Sequence, residues 1–141
     1  MKYIKDIDLV NESLGESSDL VGRFFVRLLG ARAQSHMFHW QTKSYARHMA
    51  FGDFYDEWLV IVDEIAEAVM GVRSQRPVIG DAMIPLVDYS DENIRMFIQE
   101  GKELLTTELT EVIGDEREEI HDLARTGIAL LDKLEYLLTL D

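Results

Sequence analysis

The sequence predicts an all-α fold, an antiparallel four-helix bundle with one long crossover between helices 2 and 3. Three observations carry this. Apolar residues recur with helical periodicity in four separate segments. Both prolines, Pro77 and Pro85, fall in one stretch, which leaves the rest of the chain free to be helical. The other two connections are short, so the helices they join are antiparallel neighbours. Residues 1–141 read as one domain, with an N-terminal segment over 1–17 and the crossover over 76–90.

Helix 1 is expected from about Asp19 to Gln41, capped by Ser17 or Ser18 with Asp19 in its first turn. Val21, Phe24, Phe25, Leu28, Leu29 and Phe38 form its apolar side. Helix 2 is expected from about Met49 to Ser74, where Phe51, Tyr55, Trp58, Val62, Ile65 and Val69 make one buried stripe. In the crossover, Ile84, Leu86 and Val87 suggest packing against the bundle. Helix 3 starts near Asp91 with Ser90 as its cap, buries Ile94, Phe97, Ile98, Leu105, Leu109 and Val112, and ends at Gly114. Asp115-x-x-Glu118 resembles a capping box for helix 4, which runs to about Leu140 with Ile120, Ala124, Gly127, Leu131, Leu134 and Leu138 inward.

The net charge is −13, and most of it lies in Asp88–Asp141, where five bases face fifteen acids. Such a surface repels phosphate backbones and attracts cations. DNA binding is therefore not expected at about 0.15 M salt, the physiological level. The chain has no cysteine, which excludes disulfides and thiolate metal sites. The opening MKYIKDIDLV lacks an apolar signal core, and no apolar run reaches the ~18 residues of a membrane span. A cytoplasmic location without membrane association is expected.

Potential metal ligands fall in two places. His36 and His39 are three apart and share one side of helix 1 near its end, with His48 following. Asp63 and Glu67 are four apart on helix 2, at the border of its apolar stripe. Two imidazoles and two carboxylates make a mixed nitrogen and oxygen donor set that suits iron, zinc or manganese. Taken alone, the histidines also read as surface or core residues and the acid pair as a solvated face. Glu118-x-x-His121 has the spacing of an intrasubunit di-iron pair, but it occurs once and sits in a strongly acidic helix start.

The stretch HMFHWQTKSYARHMAFGDFYDEWLVIVDEIAEAVMG resembles the signature of the Dps-type mini-ferritins of the ferritin-like superfamily. In that family a His-Trp pair ends the first helix, a second histidine follows a short loop, and fifteen residues later comes Asp-Glu-x-Ala-Glu. His39-Trp40, His48 and Asp63–Glu67 match in order, and the resemblance extends from about Asp19 to Leu140. It departs in a shortened loop after Trp40 and in Gly52, which stands where relatives often carry an acid and for which Asp56 is a substitute.

The resemblance implies a ferritin-like bundle and an iron site across a dimer interface. His39 and His48 of one subunit would bind metal and act in catalysis with Asp63 and Glu67 of the other, with Asp56 and His36 as further candidate ligands. Trp40, beside His39, would scavenge oxidising equivalents or pack at the interface. The implied function is oxidation of Fe(II) by peroxide and storage of ferric iron in a homo-oligomeric shell, a dodecamer built from dimers. The alternative is a non-enzymatic oligomer of the same fold, structural or binding a metal such as zinc, without iron turnover. A monomeric partner-binding helical module is a third reading, and it predicts an exposed apolar face.

Overall fold

A computed structural model describes residues 19–140. Among these the regular structure is entirely helical. Helix α1 is Leu20–Gln41, α2 is Tyr45–Arg73, α3 is Asp91–Glu103, α4 is Leu109–Ile113 and α5 is Glu118–Leu137. A π-helical turn, Leu104–Glu108, joins α3 to α4, so residues 91–113 form one rod. The architecture is therefore four helical rods. No helix among the described residues is long and apolar enough to cross a membrane.

Several element boundaries differ from the sequence expectation. Asp19 is the cap of α1, its carboxylate accepting from Gly22 N, while Ser17 and Ser18 lie outside the described residues. Helix α2 begins at Tyr45, capped by the Ser44 hydroxyl, so the loop is only Thr42–Ser44 and His48 lies on the helix. The sequence hides this start because Tyr45, Ala46 and Met49 are exposed and add nothing to an apolar stripe. Ser90 caps α3 as expected, and Gly114 ends α4 with φ +80°. The expected capping box of the last helix does not form: Arg117 occupies the cap position without a side-chain bond. The last helix ends at Leu137.

The crossover decides the topology. It leaves the end of α2 beside the start of α1, where Asp19 N donates to Val78 O at 3.1 Å and Gln75 Nε2 donates to Asp19 at 2.5 Å. It then follows α1 to the far end. Gln34 accepts from Val87 N and donates to Val87 O, at 2.8 and 2.9 Å, and Gln41 accepts from Tyr89 N at 2.7 Å. Helix α3 thus starts beside the start of α2 and runs parallel to it. Arg47, near the start of α2, donates to Tyr89, to Asp91 and to the Leu138 carbonyl at the end of α5. Arg73, at the end of α2, donates to the Val112 carbonyl at 2.8 Å.

The apolar stripes meet in one core around Trp58, Phe24, Phe38, Phe51, Phe54 and Phe97, all essentially inaccessible. The Trp58 indole donates to Leu28 O at 3.1 Å, so its polar edge is satisfied inside the core. The inward residues expected for the third and fourth rods are all buried. Other expectations fail in part: Phe25 and Tyr55 are half-buried, Leu29 is 52% exposed, and Ile84 and Leu86 stay exposed while Val87 alone of that trio is buried.

Candidate metal centre

The ends of α1 and α2 that meet at Thr42–Ser44 bring the three histidines together. Residues His36, His39 and Trp40 come from the last turns of α1. From the first turns of α2 come His48, Tyr55 and Asp56. His39 and His48 are tied reciprocally: His39 Nδ1 bonds the His48 carbonyl at 2.6 Å, and His48 Nδ1 bonds the His39 carbonyl at 2.8 Å. A carbonyl can only accept, so both rings carry their proton on Nδ1 when neutral. Each Nε2 then keeps a lone pair, the state in which a histidine binds metal.

The two rings stack, with centroids 3.7 Å apart and planes 19° apart. Their lone pairs lie in nearly parallel planes and do not converge on one ion. Gly52 makes this packing fit, since a Cβ there would stand 3.1 Å from His39 Cε1 and 3.3 Å from Nδ1. In the sequence Gly52 stands where relatives of the mini-ferritin type often carry an acid. Its role is instead to leave room for the imidazole, and no spacing rule reveals that.

His36 is held between two aromatic rings, Tyr55 at 4.1 Å and Trp40 at 4.2 Å. Arg32 covers Tyr55, its guanidinium carbon 5.6 Å from the ring centre. Burial lowers the His36 pKa below the usual value, as do His39 and Arg32, while Asp56 opposes them. Tyr55, expected in the core stripe, is half-buried and belongs to this cluster. Trp40 is 65% exposed, an apolar ring on the rim of the site.

Asp63 and Glu67 stand elsewhere. Both are exposed on α2. Fifteen residues of helix separate Asp63 from His48, which is about 22 Å along the axis. One chain thus unites His39 and His48 but leaves Asp63 and Glu67 apart from them. Among the described residues no three His, Asp or Glu side chains converge to hold a metal ion. Glu118 and His121 have structural partners: Glu118 pairs with Arg125 at 3.3 Å, and His121 Nε2 donates to Gly114 O at 2.9 Å.

Residues 39–138, from the first of the stacked histidines to the end of the bundle, match a family of unknown function, DUF5856. The chain belongs to this family. Within the DUF5856 match lie His39, His48, Gly52, Asp63 and Glu67, while His36 precedes it. This DUF5856 chain is also similar to an uncharacterized 14.6 kDa protein in the mobD–ri intergenic region of Enterobacteria phage T4. The two are 39% identical over 57 residues, which is 39% of this chain and 44% of the phage protein. No solved structure matches the chain.

Proposed function

We propose that this protein is a ferritin-like, metal-binding homo-oligomer of the mini-ferritin type, which oxidises Fe(II) with peroxide at a site shared by two subunits. The observation that carries the reading is the stacked His39–His48 pair, whose Nδ1 atoms are spent on carbonyls and whose Nε2 atoms are free for metal. The ring separation of 3.7 Å is close to the ~3.5–4 Å between the ions of two-metal sites. Two ferrous ions, each on its own imidazole, would give one electron apiece to hydrogen peroxide. With two protons the peroxide becomes two waters, and no hydroxyl radical is released.

A second subunit is needed to bring Asp63 and Glu67 to the histidines, because the span along α2 is too long within one chain. The single crossover between α2 and α3 supports the ferritin-like topology. The acidic surface supports accumulation of cations and argues against DNA as a partner. Ferric iron would collect inside a closed shell of such dimers, twelve subunits in the mini-ferritin plan.

Anaerobic titration with Fe(II), followed by peroxide, tests this. We expect stoichiometric oxidation in the wild type and loss of it in His39→Ala and in Asp63→Ala. Unchanged oxidation in the double variant would remove the site assignment. The Nε2-presenting pair equally suits zinc. A folded oligomer that binds zinc and never oxidises iron above the spontaneous rate would favour the non-enzymatic alternative.

A further inference from the structure

His36 is not used in the reading above, yet its surroundings are built. It lies one turn before His39 on α1, stacked on Tyr55 and in tilted contact with Trp40. Its ring nitrogens have no hydrogen-bond partner among the described residues. Its ring centre is 5.9 Å from that of His39, with 62° between the planes.

That distance is informative. With a metal–nitrogen bond near 2.1 Å, an ion lies roughly 3.2 Å from the centre of each imidazole it binds in-plane. Two imidazoles on one tetrahedral ion therefore have centres about 5–6 Å apart. His36 and His39 stand at this separation, whereas His39 and His48, at 3.7 Å, are too close. Asp56 follows Tyr55 on α2, is exposed, and acts electrostatically on His36. We propose that His36 and His39 chelate one zinc-class divalent cation within a single subunit, with water completing the shell.

In this arrangement His48 is a positioning residue. Its carbonyl fixes the Nδ1–H tautomer of His39 and so aims Nε2 at the ion. The proposal rests on the reading of the α1–α2 junction as a metal site, but not on iron turnover or on a second subunit.

The test is zinc binding to the full chain by calorimetry, with Co(II) absorption as the spectroscopic probe. We expect one ion per chain, and at least tenfold weaker binding in His36→Phe, which keeps the aromatic stack but removes the nitrogens. Asp63→Ala should bind as the wild type does. Wild-type affinity in a folded His36→Phe variant overturns the proposal. Should that variant not fold, imidazole ¹⁵N spectra of the wild type decide. Zinc must then shift a ring nitrogen of His36 together with His39 Nε2, and shifts confined to His39 and His48 overturn it. The two proposals fail separately. Asp63-dependent iron oxidation with normal zinc binding in His36→Phe sinks only this one. His36-dependent zinc binding without iron oxidation sinks only the ferroxidase.

Discussion

Asp19 shows how much one carboxylate can hold. It accepts from Gly22 N at 2.6 Å, from Gln75 Nε2 at 2.5 Å and from Val78 N at 3.4 Å, joining the start of α1 to the crossover. Burial pushes its pKa up, but these bonds and the nearby Arg73 outweigh it and hold the value below 3.8. A depressed carboxylate stabilises the fold above its unfolded pKa, and that stability is lost as pH falls through the folded value. Asp19→Ala should therefore cost about 2 kcal/mol at pH 7. Its deficit against the wild type, read by urea unfolding, should shrink below about pH 3.8. Gly52→Ala makes the opposite kind of prediction. An alanine favours the helix by about 0.5–1 kcal/mol, yet its methyl crowds the His39 ring. Metal binding should weaken while the unfolding midpoint holds or rises. The sequence displays the identity of such residues but not their neighbours. In the linear pattern Asp19 is only a first-turn acid and Gly52 only the absence of one, because nothing there shows which ring or loop approaches them.

At the scale of elements, the crossover depends on α1 side chains more than on its own apolar residues. Gln34 is fully buried and meets both backbone groups of Val87. Gln34→Leu leaves that N–H and C=O unsatisfied, so a loss of about 2–4 kcal/mol is expected in chemical denaturation. A loss under 0.5 kcal/mol would mean that water replaces the amide. The four rods were legible from periodicity, and the caps at Ser90 and Gly114 from residue type. The π turn was not, because 91–113 reads as an uninterrupted helical pattern. There Thr106 Oγ1 donates to Lys102 O, and Leu109 N reaches back to Leu104 O. Arg27 of α1 pairs with Glu108 of this turn at 2.6 Å. Burial raises the Glu108 pKa against the pull of Arg27.

At the scale of the molecule, apolar exposure and charge are segregated. Of thirteen exposed large apolar side chains among the described residues, eleven lie between Leu29 and Leu86. That part of the chain is nearly neutral, with seven bases and eight acids over 19–87, while the strongly acidic part carries only Tyr136 and Leu140. We propose that the chain self-associates through α1, α2 and the crossover. Ile79→Lys with Ile84→Lys should then shift the chain to monomers in sedimentation velocity and leave the thermal midpoint of the monomer little changed. The sequence exposed the ligand candidates and their intervals. It could not show that His39 and His48 stack while Asp63 lies far along the same helix. The crossover has one more consequence. It is tied to α1 near Val78 and again from Val87 onward, and between these ties it carries exposed residues around Gly80 and Asp81. That interval is a seam between two helical hairpins whose mutual contacts do not depend on the covalent link. Separately produced fragments ending at Gly80 and starting at Asp81 should reassemble into a stoichiometric, cooperatively melting complex. Cleavage by a protease at the seam should nick the chain without dispersing it.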